Sequence, residues 1–193
     1  MQRLSMLDSS DMSIEQAAAC DAARSGPRGK VPAPMIAWLR NPELARRAQD
    51  LGALLRFDTS LTPKLTELAI LVCARHWTSH HEWTAHKKLA LRAGLDSAII
   101  GAIADHRTPH FNDASEQSVY EISQELLSSG QLSPSNYDAG LQGLGERGLV
   151  ELVSILGYYC LVSLTLNCFE IGLPGSWAAE LTGDAPNLSK ADL

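Results

Sequence analysis

Cysteine is scarce in this 193-residue chain, and its four copies, Cys20, Cys73, Cys160 and Cys168, are scattered. No two stand in a C-x-x-C spacing, so the sequence holds no disulfide framework, zinc ribbon or dithiol motif. A basic block is missing too. Sixteen Lys and Arg against twenty-two Asp and Glu leave a formal charge of −6 and a pI near 5.5. That balance suits neither nucleic acid nor an anionic lipid surface, so neither is expected as a partner. Met1 to Ser25 carries Asp8, Asp11 and Glu15 and lacks the apolar centre of a signal peptide. One uncharged run, Leu152 to Phe169, is about long enough to cross a bilayer. Ser154, Gly157, Ser163, Thr165 and Asn167 interrupt it, and Glu151 and Glu170 close its ends. It reads as a central buried helix, and a cytoplasmic protein is expected.

No segment shows the sustained period-two alternation of a half-buried strand, so the expected fold is all-α. At 45% apolar and 20% charged residues the chain is globular, and wholesale disorder is excluded. Ser13 to Ala23 reads as a short helix, broken by the proline-punctuated run Gly26 to Pro34. Asn41-Pro42 opens a helix to about Arg56, and Thr62-Pro63 opens an apolar one to about Trp77. Ser79-His80-His81-Glu82 is an S-x-x-E capping box for a helix that ends at Gly94. Asp96 caps a helix to about Asp105, His106 to Asn112 is a loop, and Asp113 to Ser129 stops at Gly130. Ser133-Pro134 starts a further helix, followed by the apolar helix Arg147 to Glu170. From Gly172 the chain reads as loosely structured.

The two apolar helices resemble each other. Glu67-Leu68-Ala69-Ile70-Leu71-Val72 matches Glu151-Leu152-Val153-Ser154-Ile155-Leu156, and a serine follows each glutamate at the same spacing, Ser79 and Ser163. An internal duplication is one explanation and shared helical composition the other. If duplication holds, the first copy keeps polar groups where the second is apolar, and the chemistry belongs to the first.

Four of the six histidines fall between His76 and His86. Helical spacing puts Ser79, Glu82, Trp83 and His86 on one face, with Glu82 and His86 an i, i+4 pair in which the carboxylate orients the imidazole. Glu67 shares a stripe with Ile70, Leu71 and Ala74. A carboxylate there loses hydration unless it is partnered, which makes it a candidate acid or base. A short turn at Thr78 would fold the second helix back and bring Glu67 to the Glu82/His86 face. Simpler roles exist for each: a helix cap for Ser79 and Glu82, and a structural tie to Arg75 or a helix terminus for Glu67. His76 and His80 then lie at a helix end or turn, and His106 and His110 in a loop. His81 and His86 are spaced i, i+5, so no metal site is expected. The cysteines are expected to act as small buried apolar residues, and Trp38, Trp77 and Trp83 as core or pocket lining.

At these residues the sequence resembles the carboxymuconolactone decarboxylase family, the all-helical superfamily that includes the alkyl hydroperoxidase D proteins. The resemblance rests on Leu65 to Trp77, Glu82-Trp83-Thr84-Ala85-His86, and Ala90 through Arg92-Ala93-Gly94-Leu95. Gly26 to Pro32 resembles the opening segment of longer members, and Leu149 to Pro174, with Gly157-Tyr158-Tyr159, their closing segment. It implies an alkyl hydroperoxidase D-like helical domain over residues 26–174, between an N-terminal extension (1–25) and a C-terminal tail (175–193). It also implies assembly into trimers or hexamers. In the hydroperoxidase branch a Glu precedes a C-x-x-C and a His follows the second Cys by four residues. Glu67 and His86 keep the outer members, but Ser79 and Glu82 stand at the thiol positions and His81 between them. A hydroxyl and a carboxylate form no disulfide, so dithiol peroxidase activity is disfavoured. The decarboxylase branch implies a cofactor-independent lyase acting on a small lactone or a cyclic or aromatic carboxylic acid. Its catalytic residues would be Glu67, Glu82 and His86, and its substrate-binding residues Ser79, His81 and Trp83, with no cofactor and no metal. Other proton-transfer enzymes on the scaffold (a lactone hydrolase, dehydratase or cyclase) and a non-catalytic ligand-binding relative are the alternatives.

Overall fold

A computed structural model describes residues 3–175 and 177–182. The described residues form eight helices and no strand: α1 (Ile14–Ser25), α2 (Met35–Trp38), α3 (Pro42–Phe57), α4 (Pro63–His76), α5 (His80–Arg92), α6 (Ser97–Ala104), α7 (Ala114–Ser129) and α8 (Pro134–Cys168). The all-α expectation holds, and most boundaries follow from short polar side chains. Asn41, Thr62, Asp96 and Asp113 each accept a backbone N–H of the first turn they cap, which satisfies a donor the helix cannot. Gly130 ends α7 in the left-handed conformation at φ 72°. Gly145, at φ 72° and ψ 171°, breaks α8 where the sequence reading placed a junction between two helices.

α4 is the centre of the molecule. Every residue from Leu65 through Arg75 is buried, with α5, α7 and α8 packed around it. Leu68, Ile70 and Leu71 are wholly enclosed, and each such side chain contributes about 1.5–3 kcal/mol through burial. The C-terminal half of α8 lies across α4 and buries Leu152, Ile155, Leu156, Tyr159 and Leu166. Its 18-residue window of highest hydropathy is 56% buried inside the fold, as a core helix is.

The turn between α4 and α5 reverses the chain within three residues. Thr78 sits at φ 46°, an uncommon conformation for a β-branched residue. Arg75 Nη1 donates to its hydroxyl at 3.0 Å, and Ser79 N–H donates to the Ala74 carbonyl at 2.8 Å. These bonds hold α5 antiparallel against α4. The expected capping box does not form: Ser79 occupies the N-cap position, but its side chain makes no cap bond. Its hydroxyl is buried, and Glu82 is committed elsewhere.

Candidate active site

Folding α5 onto α4 brings together the three ionisable groups singled out in the sequence. His86 Nδ1 lies 2.6 Å from Glu67 Oε2 across the helix pair, and Nε2 lies 2.7 Å from Glu82 Oε1 one turn back on α5. All three side chains are no more than 8% exposed. An ionised pair of carboxylates this deep is tolerated because the imidazolium between them donates to both. Burial works against the charge on His86, but Glu67 and Glu82 outweigh it and raise its pKa to about 9. Burial likewise opposes the charge on Glu82, and the His86 imidazolium overcomes it, so the Glu82 carboxyl is held below its ordinary range.

The triad opens on one side into a cleft of about 380 Å³, a size that suits a small molecule. Glu82 and His86 line it; Glu67 stands behind the imidazole, outside the lining. Tyr158 and Tyr159 come from α8, Arg56 and Phe57 from the end of α3, and Arg28 from the extended segment before α2. The His86 and Tyr159 rings meet edge-on with centroids 5.1 Å apart. The Tyr159 hydroxyl has no partner, and neither do Nε and Nη2 of Arg28. Burial pushes the Tyr158 phenol up to about 12 and that of Tyr159 well above its ordinary value, so both remain proton donors at neutral pH. Five cations, Arg28, Lys30, Arg56, Lys88 and Arg92, surround a single lining carboxylate, Glu82. In a net-acidic protein this local reversal of sign favours an anionic ligand. Among the described residues no group of three or more His, Cys, Asp and Glu is arranged to hold a metal ion.

A model of the carboxymuconolactone decarboxylase family matches residues 42–125, the stretch that carries Glu67, Glu82 and His86. No curated protein matches the sequence. Among solved structures, the chain is similar to an uncharacterised peroxidase-related protein with an alkylhydroperoxidase AhpD core from Ralstonia eutropha JMP134. That similarity has a TM-score of 0.74 at 10% identity, over 90% of this chain and 93% of the other. The chain shares the all-helical fold of that protein. It is also similar to a cysteine-to-alanine variant of the debrominase Bmp8, solved with 2,3,4-tribromopyrrole. There the TM-score is 0.70 at 13% identity, over 89% and 91% of the two chains.

On this fold the expected site residues divide. Glu67, Glu82 and His86 converge. His81 lies on the rim, where Nδ1 is 3.1 Å from the Gly172 carbonyl oxygen and the ring packs against Trp177. Ser79 and Trp83 correct the expectation, since neither lines the cleft. Trp83 is one residue on from Glu82, a rotation of roughly 100° about the helix, and is buried in the core at 1% exposure. Ser79 is fully buried beneath the turn. The cysteines are not uniformly buried either: Cys160 is half-buried and Cys168 exposed.

Arg28, Arg56, Tyr158, Tyr159 and Trp177 were missed as site residues. Gly26 to Pro32 and Gly157-Tyr158-Tyr159 carried the family resemblance without pointing to a role. Trp177 had no signal; Lys88 lies over its ring at 4.2 Å, and the ring forms part of the cleft wall.

Proposed function

We propose that this protein is a cofactor-independent lyase that removes CO2 from a small anionic lactone or a cyclic or aromatic acid by proton transfer. The observation that carries the reading is the buried Glu67–His86–Glu82 triad opening into a cation-rimmed cleft. The cations Arg28 and Arg56 take the substrate carboxylates, and Arg28 has two guanidinium nitrogens free to do so. As the bond to the departing carboxylate breaks, its electron pair moves into a conjugated carbonyl. The unpartnered Tyr159 hydroxyl donates to the resulting enolate oxygen. The His86 imidazolium, oriented by Glu82, then delivers one proton to carbon and is reprotonated from solvent, so that substrate carboxylate plus a proton gives product plus CO2. Glu67 orients the imidazole and keeps it charged; it is a positioning residue.

A proton-transfer reaction without CO2 loss, such as lactone opening or dehydration, uses the same triad and is the second reading, since the lining groups Glu82, His86 and Tyr159 serve proton transfer to carbon or to oxygen alike. We also propose a cytoplasmic homo-oligomer, trimer or hexamer. Four free cysteines support a reducing compartment. The exposed row Val150, Val153, Leu161 and Leu164 on α8 supports a buried subunit contact.

A screen of small lactone and aromatic acids followed by mass spectrometry tests both readings, with light scattering of the same sample giving the subunit number. The expected result is a product lighter by CO2, with Glu82→Gln lowering turnover roughly 10²–10⁴-fold while the helical spectrum is kept. Turnover without CO2 release transfers the assignment to the second reading. Binding with unchanged behaviour in Glu82→Gln overturns both.

A further inference from the structure

Away from the cleft, the fold brings together two thiols that are 87 positions apart in the sequence. Cys73 on α4 and Cys160 on α8 face each other with their sulfurs 3.7 Å apart. Each is held in place by its surroundings. Trp77, at the end of α4, donates its indole N–H to Cys160 Sγ at 3.2 Å, and Asn167 of α8 donates to the Trp77 carbonyl at 2.7 Å. The Cys73 thiol also lies 3.9 Å from the Leu156 carbonyl. The two sulfurs differ in surroundings: Cys73 is enclosed, while Cys160 is half-buried. Two thiols in contact across a helix interface, one reachable and one sheltered, have the arrangement of an attacking and a resolving cysteine.

We propose that Cys73 and Cys160 form a peroxide-responsive thiol pair that closes into a disulfide joining α4 to α8. The Cys160 sulfur attacks a hydroperoxide oxygen, the O–O bond breaks, and the leaving oxygen takes a proton to depart as an alcohol or water. The Cys73 thiol then attacks the Cys160 sulfenic acid and expels water. Two thiols plus one hydroperoxide therefore give one disulfide, one alcohol and one water. The electrostatics agree with these roles. The Cys73 hydrogen bond, aided by the Trp77 N–H, overcomes burial and brings the Cys160 thiol down to about 7. Cys73, bonded to Cys160 and desolvated, is held well above its ordinary value and keeps its proton. Closure requires the sulfurs to move from 3.7 Å to the ~2.0 Å of a disulfide, within reach of side-chain rotation and a small helix adjustment. Tyr159, next to Cys160 in the chain, packs on His86, so closure displaces a wall of the cleft. The thiols lie outside the lyase site proposed above, so this inference stands or falls separately from it.

The test uses the full chain with Cys20→Ser and Cys168→Ser, leaving only the two thiols in question. One equivalent of hydrogen peroxide is added under native conditions, followed by alkylation and mass spectrometry. Expected are the loss of two hydrogens, protection of both thiols from alkylation, a cross-linked peptide joining the two cysteines, and recovery with dithiothreitol. Adding Cys73→Ser to this background leaves a Cys160 sulfenic acid that dimedone captures; adding Cys160→Ser leaves Cys73 unoxidised at the same dose. Two fully alkylatable thiols after peroxide, or a disulfide formed between chains, overturns the proposal. So does equal oxidation of Cys73 in the Cys160→Ser variant.

Discussion

Glu67 on α4 and Glu151 on α8 head matching hydrophobic runs, and each is followed twelve residues later by a fully buried serine. Their surroundings are opposite. Glu67 is enclosed against His86, whereas Glu151 lies near the surface, accepting from the Ser60 backbone N–H at 2.7 Å and from Arg147 at 2.8 Å. The partners explain the difference. The position matching His86 is Glu170, which pairs with Arg3 at 2.7 Å on the surface, and the position matching Glu82 is the buried Leu166. One segment therefore supplies charge and the other supplies packing. A short sequence specifies a helix, but the helix laid against it decides whether its glutamate is ornamental or chemical.

The comparison breaks most visibly at the two positions that match His86 and Glu170. His86→Ala leaves two buried carboxylates facing each other without a cation, and is expected to destabilise the protein by about 3–5 kcal/mol at neutral pH. Glu170→Ala removes an exposed ion pair and should cost less than about 1 kcal/mol. Urea unfolding of both variants measures the gap; equal losses would mean that the burial contrast carries no energy.

A pH series sharpens the same contrast with a smaller effect. The His86 pKa is raised from 6.5 to about 9, so the native state binds its proton more tightly than the unfolded chain. That stabilisation is complete below pH 6.5 and is lost as pH climbs through about 9, on the order of 3 kcal/mol in all. The lowered Glu82 carboxyl acts in the other direction: its contribution is present above its ordinary value of 4.5 and fades as pH falls below it. Glu67→Gln removes one carboxylate from the imidazole and should move the alkaline loss toward pH 6.5. Glu151→Gln should leave it where it is. Denaturation midpoints at each pH, with histidine NMR titration, give both limbs.

The local half of this structure was legible in advance. Capping side chains and terminal glycines marked most helix limits, and the i, i+4 spacing paired Glu82 with His86. Glu67 stood out because an apolar stripe gives a carboxylate no water. What failed depended on contacts between distant segments. Ser79 and Glu82 fit the capping pattern, but a nearby imidazole competed for the carboxylate and won. Arg28 enters the cleft from a segment far upstream, and Tyr158 and Tyr159 enter from a helix far downstream. The pairing of Cys73 with Cys160 likewise has no trace in their spacing. Packing of α8 on α4 creates these contacts, and no window of sequence contains both partners.

The smallest expected effect concerns two glycines that flank the contrast. Gly52 on α3 faces the cleft side of α8: a Cβ there would stand 2.1 Å from Tyr158 Oη and 2.7 Å from Arg28 Nη2. Tyr158 cannot simply swing away, because its ring is packed edge-on against Trp38 and Tyr159, with centroids 6.3 and 5.3 Å apart. Relieving the clash therefore forces the Tyr158 ring to shift within that packing and pushes aside Arg28, a flexible side chain with free guanidinium nitrogens. Gly52→Ala should therefore weaken binding of an anionic ligand by roughly tenfold, the scale of one charge-assisted hydrogen bond, with a smaller change in turnover. Gly143, on the outer part of α8, is the control, since its Cβ would meet only the Ser118 hydroxyl at 4.0 Å. Gly143→Ala should leave binding unchanged and stabilise the helix by up to about 1 kcal/mol. Calorimetric titration with the best acid from the screen distinguishes them. If both variants bind alike, Arg28 does not hold the ligand's carboxylate, and the cation rim acts only as a diffuse field.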